Sequence, residues 1–122
     1  MATQSMHTHV VTVPANGIVD WTTFHSVFAE HLGFPAYYGR NMNAWIDCLT
    51  YADDPGAGML AHAVQPGELL TLRIEGADAF ANRCPEQYKA LIDRTTFVNM
   101  RRMEMDMSPV ISLLLCGRIE GQ

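Results

Sequence analysis

Between Phe34 and Thr50 the chain reads Phe-Pro-Ala-Tyr-Tyr-Gly-Arg-Asn-Met-Asn-Ala-Trp-Ile-Asp-Cys-Leu-Thr, and no other stretch constrains the fold as tightly. At about 100° per residue, Met42, Trp45, Ile46 and Leu49 fall on one stripe of a short helix, and such a stripe must face a core. Asn43, Asp47 and Thr50 share a roughly 60° arc on another side of that helix. Pro35 and Gly39 stop and bend the incoming chain, and Asn41 is placed to cap the helix by accepting from a first-turn amide. The expectation is a rigid helix with a small polar display, preceded by a turn that carries two tyrosines.

The flanking segments alternate between strand and helix signals. His7 to Val13 is rich in β-branched residues and is ended by Pro14, with Ala15-Asn16-Gly17 as a turn, which predicts a first strand. Its His7-x-His9 pair could point two rings to one side, but nothing in the sequence completes a metal site. Asp20 predicts an N-cap for a helix from Trp21 to Leu32, in which Trp21, Phe24, Val27, Phe28 and Leu32 recur at helical steps and Gly33 stops the last turn. His25 and His31 on this helix read as surface or hydrogen-bonded histidines. Tyr51 to Gly67 reads as a long loop with turns at both ends.

Glu68 to Ile74 predicts a second strand, apolar enough for cover on both faces. A short helical turn begun by Asp78 follows, then a longer helix with Pro85 in its first turn, running to about Met100. Tyr88, Leu91, Thr95 and Val98 form its inward face, widened by Ile92. Lys89, Arg94, Arg101 and Arg102 are expected on a solvated outer face, away from the acidic 42–50 helix. Met100, Met103, Met105 and Met107 are expected to pack at the helix end. Val110 to Cys116 predicts a buried third strand after Pro109. The order β-α-α-β-α-α-β implies an α/β domain with a three-stranded parallel sheet and right-handed crossovers.

Composition narrows the function classes. The 122 residues suit one domain over 1–122, with a core at about 7–117. A content of 48% hydrophobic and 17% charged residues argues for a packed core over disorder. The apolar runs are too short for a membrane span, and the first residues lack the pattern of a signal peptide, so a cytoplasmic protein is expected. A formal charge of −5 disfavours direct binding of nucleic acid, which calls for a basic face, and suits a basic partner. Residues 41–72 hold no Lys or Arg but contain Asp47, Asp53, Asp54 and Glu68, a local net charge of −4. Cys48, Cys84 and Cys116 are widely spaced and read as reduced packing thiols. Phosphate-loop, dinucleotide, zinc-protease and nucleophile-elbow motifs do not occur, so neither an enzyme nor a cofactor is indicated.

The sequence Tyr37-Tyr38-Gly39-x-Asn41-x-x-Ala44-x-x-Asp47-Cys48-Leu49-Thr50 resembles the signature of the barstar-like proteins, intracellular inhibitors of ribonucleases of the barnase type. The resemblance implies the same α/β fold. It also implies an antitoxin or immunity protein that blocks the active site of a basic ribonuclease or ribonuclease-fold toxin. By that likeness Asp47 enters the nuclease active site, and Tyr37, Tyr38, Gly39, Asn41, Asn43 and Thr50 belong to the binding surface. A carboxylate suits this task because a ribonuclease site gathers donors for phosphate, and a carboxylate occupies them without offering a cleavable bond.

The chain departs from the barstar pattern at Arg40 and Asn43, where that pattern carries acidic residues, and its 51–67 loop is an insertion. The departures keep open a second reading, a barstar-fold interaction or regulatory domain whose partner is not a nuclease.

Overall fold

The computed structural model describes residues 8–118. Its elements run β1 (Thr8–Pro14), a 3-10 turn (Ala15–Gly17), α1 (Trp21–Leu32), α2 (Met42–Thr50), a second 3-10 turn (Pro55–Ala57), β2 (Leu69–Glu75), α3 (Ala77–Arg83), α4 (Pro85–Glu104) and β3 (Ile111–Cys116). All three strands are parallel, in the order β1-β2-β3, with Val11 opposite Leu72 and Leu72 opposite Leu113. The architecture is the α/β one expected from the strand and helix signals. His7 lies outside the described residues; His9 pairs with Glu68, Nε2 to Oε1 at 3.1 Å.

Local chemistry sets the helix ends. Asp20 accepts from the Thr23 amide at 2.8 Å while the Thr23 hydroxyl accepts from the Asp20 amide at 3.0 Å, a reciprocal cap for α1. Gly33 ends α1 at φ +70°, and its backbone lies so close to Ala61 that a Cβ there would stand 2.3 Å from the Ala61 methyl. Ala61 is also tied to this helix end, donating its amide to the carbonyls of Leu32 and Gly33. The loop after α2 is therefore packed, with Ala52, Leu60 and Val64 buried.

Alternation along the strands divides the sheet into two faces. Val13, Leu70, Leu72, Ile74 and Ile111 join the core with Phe24, Phe28, Trp45, Leu49 and Leu91. Trp45 is fully buried, edge-on to Phe28 at 5.8 Å between ring centroids. The opposite face carries Val10, Thr12, Arg73 and Leu114, all exposed. β2 itself is nearly covered on both faces, as its apolar run suggests: on the second face Thr71 is buried against Ser112 and only Arg73 is exposed. β3, by contrast, is not the buried strand expected: Leu114 and Leu115 are 47% and 41% exposed. An edge strand has a hydrogen-bonded neighbour on one side only, so apolar residues that a central strand would bury stay half open.

α4 runs four residues past the expected end, and its buried stripe is Gln87, Leu91, Thr95, Val98 and Arg102. Met100 and Met103 lie off that stripe and Met105 and Met107 beyond the helix, so all four are exposed instead of packed. The Arg102 guanidinium, expected in solvent, is instead buried against α2, because steps of four and three residues carry the Leu91–Val98 stripe on to position 102.

Candidate functional site

Asn41 builds the polar end of α2. Its Oδ1 accepts from the Ala44 amide at 2.8 Å and its Nδ2 donates to the Gly39 carbonyl at 3.2 Å, locking the turn to the helix start. Gly39 leaves little room here, since a Cβ would lie 3.3 Å from Asn41 Nδ2. Both polar atoms of Asn41 are thereby used inside the chain. Asn43 and Asp47, one turn apart, point outward from the helix so fixed.

The two tyrosines divide their roles. Tyr37 is 76% exposed, and its hydroxyl reaches Met59 Sδ at 3.7 Å. Tyr38 is half-buried, its ring packed against Phe34 and its hydroxyl 2.6 Å from Nδ1 of the buried His25. Expected on the binding surface, Tyr38 instead turns its ring inward and gives its hydroxyl to an internal partner. Burial, then the Arg40 charge, lowers the His25 pKa and favours the neutral imidazole. Burial likewise raises the Tyr38 phenol and pushes the Cys48 thiol up to about 11, with the adjacent Asp47 charge adding to the latter. Neither group offers an activated nucleophile.

Between Tyr37, Gly39, Asp47, Cys48 and Met59 lies an open cavity of about 200 Å³. Pro35, Ala44 and Met59 contribute apolar lining and Asp47, whose side chain is 61% exposed, contributes a carboxylate. Met59 comes from the 51–67 loop and has no signal in the local sequence pattern. His25 had one: it sits between Trp21 and Phe28 at helical steps of four and three.

Thr50 departs from the expected surface. It is buried, and its hydroxyl donates to the Ile46 carbonyl at 2.6 Å. On a helix Thr50 lies about 40° from Ile46 and about 60° from Asp47, and the docking of α4 covers the Ile46 side. The basic end of α4 is also not held away from α2. Arg101 Nη2 stands 3.9 Å from Asp47 Oδ1 and donates to the Thr50 hydroxyl at 3.3 Å. The Asp47 pair is long and exposed, so it leaves the carboxylate available. Arg102 makes the tighter contacts: a two-pronged pair with Asp53 at 3.0 and 2.8 Å, the Thr50 carbonyl at 2.8 Å and the Ser108 carbonyl at 2.7 Å. The C-terminal end of α2 is fixed from α4, as its N-terminal end is fixed by Asn41.

Arg40 also has a defined place. Its Nη2 donates to the Thr22 carbonyl at 2.9 Å and to Ser26 Oγ at 2.8 Å, so the guanidinium is drawn onto α1. Among the described residues, no group of three or more His, Cys, Asp or Glu side chains could hold a metal ion, and no helix is long and apolar enough to cross a membrane.

Fold and face together define a small α/β protein that presents a turn, an exposed aromatic ring and a carboxylate from a short helix anchored at both ends. The chain belongs to the barstar (barnase inhibitor) family, whose model matches residues 8–105, from β1 through the end of α4. A comparison with curated proteins found no match.

Proposed function

We propose that this chain is a cytoplasmic inhibitor, an antitoxin or immunity protein, that binds a basic ribonuclease or ribonuclease-fold toxin and occludes its active site with the Tyr37–Asp47 face. It performs no chemistry of its own. The observation that carries the reading is the exposed Asp47 carboxylate on a helix held at both ends, beside the exposed Tyr37 ring and the 200 Å³ hollow. A carboxylate so held enters a phosphate-binding cleft with little ordering cost and pairs there with cations. Asn43 adds hydrogen-bonding capacity beside it, and Tyr38, Gly39 and Asn41 hold the turn in shape. Thr50 supports the helix from behind. Family membership agrees with this assignment.

Paired capture from native cell extract, with wild-type and Asp47→Ala proteins as baits, tests it. The expected result is a basic nuclease retained by the wild type and lost from the variant, whose RNA cleavage the wild-type protein suppresses at equimolar ratio. Truncation of Asp47 should weaken the complex by about 2 kcal/mol or more. A captured partner that holds both baits with equal affinity, or whose RNA cleavage continues at saturation, refutes active-site occlusion.

A further inference from the structure

The turn that shapes the Asp47 face also walls a second cavity, of about 350 Å³, together with the start of α1. Trp21, Thr22, His25, Arg40, Asn41 and Met42 line it. Its chemistry is rich in donors and holds no carboxylate. Arg40 spends Nη2 on Thr22 and Ser26, leaving its Nη1 and Nε donors without a protein acceptor and the cation without an ion-pair partner among the described residues. Its backbone sits at φ +55°, an uncommon conformation for a non-glycine residue that its surroundings must hold. His25 is 4% exposed, and its Nδ1 is occupied by the Tyr38 hydroxyl. Burial favours the neutral ring, whose Nε2 faces the remaining choice of donor or acceptor according to which way the Tyr38 bond runs. Trp21, half-buried and stacked on His25, and Met42 supply apolar wall.

An anchored cation with its Nη1 and Nε donors uncommitted, beside apolar wall, suits a carboxylate on a short aliphatic stem. Residues 37 to 39 line the first cavity and residues 40 to 42 the second, so a single turn walls both. We propose that the second cavity receives a glutamate or aspartate side chain of the protein partner, with Arg40 as its cation. This rests on the reading of the Tyr37–Asp47 face as partner-binding. The partner then carries a basic group for Asp47 and an acidic one for Arg40. Two contacts of opposite sign about one turn fix the register and reject a partner that is basic throughout.

The test does not need the partner. Isotope-labelled protein is titrated with N-acetylglutamate N-methylamide, with its neutral glutamine analogue and with inorganic phosphate, following the Trp21 indole and Arg40 Nε resonances by NMR. The expected result is saturable shifts with the glutamate probe, at least about tenfold weaker in Arg40→Gln or with the glutamine analogue, as loss of a charge-assisted hydrogen bond requires. Saturable probe binding together with a failure of Asp47-dependent capture refutes the nuclease reading alone, whereas capture that depends on Asp47 with no probe binding refutes the Arg40 site alone. Absent saturation, equal binding of the glutamine analogue, or saturation by phosphate alone overturns the proposal, the last marking a site for free anions.

Discussion

Replacing Arg102 by methionine removes a guanidinium that is 2% exposed and leaves its partner, the Asp53 carboxylate, only 11% exposed. Four contacts disappear at once: both prongs to Asp53 and the bonds to the Thr50 and Ser108 carbonyls. Breaking a buried ion pair from one side costs about 3–5 kcal/mol, because the remaining charge loses its compensation without regaining water. The orphaned carbonyls add to this, while partial opening of the 51–67 loop relieves it, so a loss of about 4 kcal/mol is expected. That is a large share of the roughly 5–15 kcal/mol by which a domain is stable. It corresponds to a fall in Tm of about 10–20 °C for a chain of this length.

Urea titration followed by circular dichroism measures the loss directly. A cycle with Asp53→Asn should return a coupling of about 2–3 kcal/mol, near the upper end for residues in contact. The double variant Arg102→Met/Asp53→Leu should recover much of the loss, since removal of both charges leaves no unpaired ion. A loss below about 1 kcal/mol for Arg102→Met, or a coupling near zero, would refute the claim that this pair holds α2 to α4.

Three further outcomes follow from the same structure. Because burial lowers the His25 pKa from its ordinary 6.5, acid draws protons preferentially to the unfolded chain. Stability from this group is complete above that pH and declines below it, with a slope of at most about 1.4 kcal/mol per pH unit; urea midpoints that stay flat between pH 7.5 and 5 in wild type, or fall as steeply in His25→Gln, would contradict this. With its thiol pushed up to about 11, buried Cys48 should resist iodoacetamide at pH 8 under native conditions while the more accessible Cys116 reacts; peptide mapping that finds Cys48 alkylated first would be the opposite result. Gly33→Ala places a methyl against Ala61 in a left-handed conformation and should cost on the order of 2 kcal/mol or more, which a thermal melt unchanged from wild type would disprove.

The helices that carry the candidate site were legible one at a time. Asp20, Gly33 and Asn41 punctuate the chain at the observed bounds of α1 and α2, and the stripe through Trp45, Ile46 and Leu49 is the face that is buried. These are properties of neighbours a few residues apart, which the 3.6-residue repeat and the capping preferences express directly in sequence. The strand positions and their parallel sense followed from a β-branched first run and two apolar runs separated by helices, whereas the order β1-β2-β3 came from the structure.

Tertiary structure decided what each surface meets. Thr50 lies between the polar and apolar sides of α2, and only the docking of α4 assigns it to the core. Arg101 and Arg102 carry the same charge and adjacent numbers. The helical stripe nevertheless turns one inward to Asp53 while the other rests half in solvent near Asp47. Arg40 and Met59 take their places from Thr22, Ser26 and Tyr37, residues 14 to 22 positions away. The open face of the sheet and the exposed half of β3 depend on how many helices remain to cover them, which no local window contains. Periodicity tells a residue which side of its own element it occupies; whether solvent, a charge or a core waits on that side depends on how separate elements pack together.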